Sequence, residues 1–193
     1  MNFSYFEEKK VRGEVIFNGR IIRVERDEIT LPNGKEAFRE VVRHPGAVCV
    51  VPVTDEGEVI LVRQFRYPYR EVLLEVPAGK LEAGERTNEA TIADATLREL
   101  KEEVGVSCDR LTYMGALYPS VAIFDETIFM YIAEGLHFGD TSPDEDEFLE
   151  VVKIPLDELC EMIVRGDVPD AKTQAAVLKA AYILEKRGCL NEA

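Results

Sequence analysis

Glu99, Glu102 and Glu103 stand in the run Arg98-Glu99-Leu100-Lys101-Glu102-Glu103. On an α-helix, side chains three and four positions apart are neighbours, so these three carboxylates share one face. Like charges so close repel each other, and a divalent cation between them relieves the repulsion. Carboxylate oxygens are the hard ligands that Mg²⁺ or Mn²⁺ prefers, usually alongside phosphate oxygens of a substrate. A Glu/Lys-rich helix face taken alone is most often just solvated. The run gains weight from its flanks: Glu75-Val76-Pro77-Ala78-Gly79-Lys80-Leu81-Glu82 precedes it, Glu85 lies six positions after Gly79, and Gly105-Val106 closes it.

This ordered set resembles the Nudix box: a glycine, five residues, a glutamate, a spacer, then Arg-Glu-aliphatic-x-Glu-Glu-x-Gly-aliphatic. The lead-in from Glu75 is similar to that of the ADP-ribose pyrophosphatase branch of the family. So, in family order, are the segments Arg39–Val48, Val62–Pro68, Asp144–Phe148 and Asp170–Thr173, so the resemblance runs from about residue 12 to 185. One departure is the spacer, which holds seven residues in the family and twelve here, Arg86 to Leu97. Five extra residues within the helix would turn its start by about 500° and aim the loop away from the carboxylate face. The insertion is therefore expected to bulge near Arg86–Thr91, with Thr87 or Asn88 capping the helix. It bears on Glu85 more than on Glu99 and Glu103.

The resemblance implies roles residue by residue. Glu99, Glu102, Glu103, Glu147 and the Ala78 backbone carbonyl would bind metal, with Glu102 either a ligand or part of the shell that orients the others. Glu145 would be the general base that deprotonates the attacking water, and Glu145 and Glu147 are open to exchange of roles. Gly79, Glu85, Arg98 and Gly105 would shape the box, Arg98 through an ion pair. Arg66 would clamp the diphosphate, for which a planar guanidinium is suited. Arg39 and Glu40 would meet the adenine, and Ser120 and Glu126 would lie beside the terminal ribose. There the branch usually carries Ser-Pro-Gly, three residues and Glu; this chain has Val121 and Ala122 instead of proline and glycine. The implied activity is metal-dependent cleavage of ADP-ribose to AMP and ribose 5-phosphate, with Mg²⁺ as cofactor or Mn²⁺ in its place. The alternatives are hydrolysis of another nucleoside diphosphate sugar, and nucleotide sensing without turnover.

The elements that must position these groups alternate between strand and helix signals. GEVIFNG and RIIRVERDEITL read as strands, followed by a Pro32-Asn33-Gly34 turn and KEAFREVVRH. Ala47–Val53 is a continuous apolar run, suited to a strand buried on both faces. Glu58–Phe65, Leu111–Leu117, Thr127–Ala133 and Phe148–Ile154 read as further strands, and His137–Glu147 as a polar loop. A helix is expected from Pro155 to about Arg165, ended by Gly166. A last helix over 171–186 would face the core with Ala175, Leu178, Ala181, Tyr182 and Leu184. Phe17, Tyr67 and Tyr69 could stack a base, but aromatics on strands more often lie in a core. The pattern argues for layered α/β or α+β structure. The resemblance sharpens it to a Nudix α/β/α sandwich with a mixed sheet: residues 1–45 form a small N-terminal β region that would build a homodimer and part of the adenine site, and 46–193 the hydrolase domain.

Composition narrows the alternatives. A net charge of −14 over 193 residues disfavours nucleic acid and anionic membrane as partners. It also requires cations or local arginines to reverse the field where a diphosphate binds. Cys49, Cys108, Cys160 and Cys189 are scattered, without metal-ligand spacing, as suits reduced thiols. No apolar run approaches a membrane span, and MNFSYFEEKK lacks the apolar core of a signal peptide. The expectation is a cytoplasmic protein.

Overall fold

The computed structural model describes residues 3–82, 84–142 and 148–191. The chain divides into two compact units, one of residues 1–46 with 118–126, the other of 47–117 with 127–193. In the first, β1 (Lys9–Asn18), β2 (Arg23–Thr30) and β3 (Glu36–Arg43) form an antiparallel sheet in that order. β1 is exposed along its whole length, and burial is concentrated on Asp27 and Ile29 of β2. The 118–126 segment joins the free edge of β3: the Val42 N–H donates to the Ile123 carbonyl (2.7 Å) and the Asp125 N–H to that of Val42 (3.1 Å).

The second unit holds two sheets and three helices. β4 (Ala47–Pro52), β7 (Ala78–Lys80), β8 (Val106–Leu117) and β9 (Ile128–Phe138) form a four-stranded sheet in the order β7-β4-β9-β8, with β4 and β9 parallel. β5 (Glu58–Arg66), β6 (Glu71–Glu75) and β10 (Leu149–Pro155) form the other, in the order β10-β5-β6. Alternation along the strands feeds two cores. Val48, Val50, Ile60 and Val62 join Ile92, Ala95, Leu100 and Val104 of α1 (Glu89–Val104). Cys49, Val51, Val59 and Leu61 join Leu159 and Ile163 of α2 (Leu156–Arg165) and Ala176, Val177 and Ala180 of α3 (Ala171–Asn191). With helices on both sides of fully buried strands, the unit is an α/β/α sandwich.

Several sequence expectations are corrected. The last helix buries Thr173, Ala176, Val177 and Ala180, while Leu178 and Tyr182 are exposed. Its buried positions are small residues, which let the helix approach the sheet closely. β8 starts at Val106, and β9 runs on to Phe138, so His137 is a strand residue rather than the start of a loop. Pro155 ends β10 and precedes α2, whose first residue is Leu156. The lead-in to the box contains a short strand, β7, that no sequence pattern marked. Phe17, Tyr67 and Tyr69 are all exposed rather than core residues.

Candidate active site

α1 carries the carboxylates, and its ends explain its position. The Asn88 side chain accepts the Thr91 N–H (3.1 Å), capping the helix, and Gly105 at φ 67 ends it. The long spacer forms a separate 3-10 turn, Glu85–Thr87, ahead of the cap. It is tied down at Arg86, whose Nη2 donates to the Thr127 hydroxyl (2.8 Å). Gly105 also allows a close approach: a Cβ there would sit 2.6 Å from the Gly139 carbonyl oxygen. The Gly139 N–H donates to the Gly105 carbonyl (2.7 Å) and the Ser142 N–H to that of Glu102 (3.0 Å). Gly139 and Ser142 are thus held against the C-terminal end of α1. Glu145 and Glu147 lie outside the described residues.

Glu103 lies on the buried face of α1 at 4% exposure, among Ile92, Leu100 and Val104. A carboxylate there requires partners, and one is the Ala78 N–H, which donates to its Oε2 (3.1 Å). Glu99 lies against the same short strand: a Cβ on Gly79 would be 1.9–2.3 Å from the Glu99 carboxyl group. Arg98 gathers the rest. Its Nη1 donates to Glu99 (2.8 Å) and Glu102 (3.1 Å), and its Nη2 stands 3.6 Å from Glu85. Burial works to lower the Arg98 pKa, but these carboxylates, Glu99 foremost, raise it. Glu85 in turn accepts the Glu82 N–H (2.6 Å). Ala78, Gly79, Glu85, Arg98, Glu99, Glu102, Glu103 and Gly105 are therefore in one neighbourhood.

Arg66, at the end of β5, faces Glu75 in a two-point pair, Nε to Oε1 at 2.6 Å and Nη2 to Oε2 at 2.7 Å. Glu75 is 1% exposed and also pairs with Lys172. Burial works to raise the Glu75 pKa, but Arg66 and Lys172 outweigh it and hold the carboxyl below its ordinary range. Lys172 reaches Asp170 Oδ2 (3.0 Å), which also accepts the Thr173 N–H (2.9 Å) and hydroxyl (2.6 Å). The Thr173 hydroxyl oxygen accepts the Val76 N–H (3.0 Å). Sequence reasoning assigned no role to Glu75, Asp170, Lys172 or Thr173. The available signal was that both of their segments matched the same family pattern.

The remaining predicted residues belong to the first unit. Arg39 pairs with Glu8 and donates to the Phe38 carbonyl (2.9 Å). Glu40 is exposed on β3 opposite Arg26 of β2. Ser120 is exposed, and its carbonyl accepts the Phe124 N–H (3.1 Å). Glu126 stands 3.3 Å from Nδ1 of the half-buried His44. Val121 is 82% exposed in the turn that follows Ser120.

Comparison with known proteins agrees in both units. The NUDIX domain model matches residues 43–177, and the model for the nucleoside diphosphate sugar hydrolase N-terminal domain matches 8–42. This chain belongs to the Nudix hydrolase family. It is 42% identical to an ADP-ribose pyrophosphatase of Bacillus subtilis and 40% identical to a methanol dehydrogenase activator of Bacillus methanolicus. Each alignment covers 89% of this chain and 91% of the relative. A crystal structure of an ADP compounds hydrolase superposes with a TM-score of 0.81 at 24% identity, covering 94% of this chain and 96% of the other, which shows the shared fold.

Nudix hydrolases generally use divalent metal ions. The donors here suit one: hard oxygens on Glu99, Glu102 and Glu103 beside a glycine whose missing Cβ leaves room for the Glu99 carboxylate. Among the described residues, no three or more His, Cys, Asp or Glu side chains are drawn together as a metal group. Glu99 and Glu102 instead lean on Arg98, and Glu103 on the Ala78 N–H.

Proposed function

We propose that this Nudix enzyme is an ADP-ribose pyrophosphatase that requires Mg²⁺, with Mn²⁺ able to replace it. The observation that carries the reading is the convergence of Glu99 and Glu103 on the Ala78–Gly79 strand, with Glu102 joined to Glu99 through Arg98 and Arg66 held at the end of β5. The similarity to the Bacillus subtilis ADP-ribose pyrophosphatase over most of both chains supports the choice of substrate.

Glu99, Glu103 and Glu147, with Glu102 and the Ala78 carbonyl, would hold the metal. Bound there, it would supply charge neutralisation of the diphosphate and lower the barrier to attack by water. Arg66 would present its Nη1, which has no hydrogen-bond partner among the described residues, to a diphosphate oxygen. Glu145 would take the proton from the attacking water, with Glu147 the alternative base. The water oxygen bonds to one phosphorus, the bond from that phosphorus to the bridging oxygen breaks, and AMP and ribose 5-phosphate leave. Arg39 and Glu40 would contact adenine, and Ser120 and Glu126 the terminal ribose. We assign residues 1–45 to a region that forms a homodimer and 46–193 to the hydrolase domain, and place the protein in the cytoplasm. No described helix is long and apolar enough to cross a membrane.

Val121 and Ala122, where the family resemblance expects proline and glycine, favour one second reading: turnover of a different nucleoside diphosphate sugar. A panel of ADP-ribose, GDP-mannose, UDP-glucose, ADP-glucose and diadenosine polyphosphates with Mg²⁺ separates the two, with Glu103→Gln as control. ADP-ribose turnover that is lost in Glu103→Gln is the expected result. Preference for another sugar nucleotide would replace the substrate. Binding without turnover of any of them would make the protein a nucleotide sensor.

A further inference from the structure

Four successive residues between the two sheets of the second unit are each held from outside the segment. Glu75 takes Arg66 and Lys172, and the Val76 N–H donates to Thr173 Oγ1 (3.0 Å). The Pro77 carbonyl accepts the Val50 N–H (3.0 Å), and the Ala78 N–H donates to Glu103 (3.1 Å). Two of these five anchors come from the first turn of α3, 97 residues further along the chain. Asp170 organises that turn. Its Oδ2 caps the helix at the Thr173 N–H and accepts both the Thr173 hydroxyl and the Lys172 ammonium. Thr173 is fully buried; Lys172 is half-buried with its side chain 13% exposed, a place where a lysine is uncommon unless its charge is used.

We infer that Asp170, Lys172 and Thr173 are positioning residues for the phosphate half of the active site. The inference rests on the functional reading above. Thr173 fixes Val76, and with it the course of the chain to Ala78 and Gly79, against which Glu103 and Glu99 are placed. Lys172 acts on charge. Arg66 and Lys172 are balanced by Glu75 and Asp170, so Glu75 is shared between two cations. Remove Lys172, and the buried carboxylate falls to Arg66 alone, which binds it more strongly and has less charge to offer an incoming diphosphate.

The two residues therefore predict different kinetic losses. Thr173→Val keeps the shape of the side chain and removes the hydroxyl. It should lower kcat about tenfold or more with KM nearly unchanged, because misplaced catalytic groups lower the rate. Thr173→Ser, which keeps the hydroxyl, should restore it. Lys172→Met should raise KM about tenfold with kcat little changed, and Lys172→Arg should recover most of the loss. If Lys172→Met does not fold, the Thr173 pair decides the matter.

Amide hydrogen exchange supplies a readout independent of turnover. In Thr173→Val both the Val76 and Ala78 amides should exchange faster, while those of Leu100 and Val104 keep their protection. Lowered Tm with unchanged kcat and KM, or faster exchange at Val76 with Ala78 unaffected, would overturn the inference and leave Thr173 a simple helix-end contact. Wild-type protein that turns over no nucleoside diphosphate sugar would overturn the functional reading instead, and the exchange at Ala78 would still decide the positioning role.

Discussion

Adding a single methyl group at Gly79 should disable the enzyme while leaving it folded. A Cβ there falls 1.9 Å from the Glu99 carboxyl carbon, and ordinary contact begins at 3.4 Å, so the carboxylate must retreat by about 1.5 Å. The backbone itself accepts alanine, since Gly79 is not among the positive-φ glycines. The strain falls on a side chain that can rotate, so the stability cost should be about 1 kcal/mol, or roughly 2–4 °C in Tm for a chain of this size. The activity cost should be far larger, because displacement of a catalytic group by about 1 Å can cost on the order of 10² in rate. Steady-state kinetics across a Mg²⁺ titration would show kcat reduced by about that factor, with a higher metal requirement. The decisive comparison adds Glu99→Asp, which draws the carboxylate back by one methylene. The Glu99→Asp change should cost less in the Gly79→Ala background than in wild type, giving a clear coupling between the sites. Losses that simply multiply, or a Gly79→Ala enzyme within about threefold of wild-type kcat, would refute the claim that this glycine exists to admit Glu99.

Arg98→Ala should be more harmful to stability than a surface arginine, by about 1–3 kcal/mol in urea unfolding, because it strands Glu85, Glu99 and Glu102 beside one another. Mg²⁺ should recover more of that loss in the variant than it adds to wild type, since both cations answer the same repulsion. The lowered pKa of Glu75 makes its contribution to stability complete at neutral pH and above the ordinary carboxylate value of 4.5. That contribution is lost as pH falls through the lower folded value, so the stability gap between wild type and Glu75→Gln should be flat from pH 7 to about 5 and narrow in stronger acid. Burial pushes the Cys49 thiol up to about 12, so iodoacetamide at pH 8 should label Cys49 only after denaturation. Labelling at Cys49 in the native protein would show that its strand opens.

The parts of the site that lay close together in sequence were legible in advance. The neighbourhood of the three carboxylates follows from helical spacing alone. The helix start was narrowed to Thr87 or Asn88, and the cap bond belongs to Asn88. β4 was readable because its apolar run has no polar face to confuse it. β7 was not, since three residues centred on glycine carry no strand pattern; it exists because β4 offers a partner edge. The face of α3 was read only in part: Ala175 and Leu184 pack against the core, but Leu178 and Tyr182 are exposed, and close packing selected Ala176, Val177 and Ala180 for the most buried positions. The Glu75–Lys172 pair could not be read from spacing, as two charges 97 positions apart meet only through the fold.

The separate turn at Glu85–Thr87 has a consequence for how this box can change over time. Helix and loop are aligned by contacts, Arg98 to Glu85 and Glu99 against Gly79, and not by a fixed number of residues between them. The connecting stretch is thus a hinge point for insertion: its length can drift while the reacting groups keep their places. A search that demands a rigid residue count would pass over such chains, whereas one that requires the two contacts and lets the interval float would recover them.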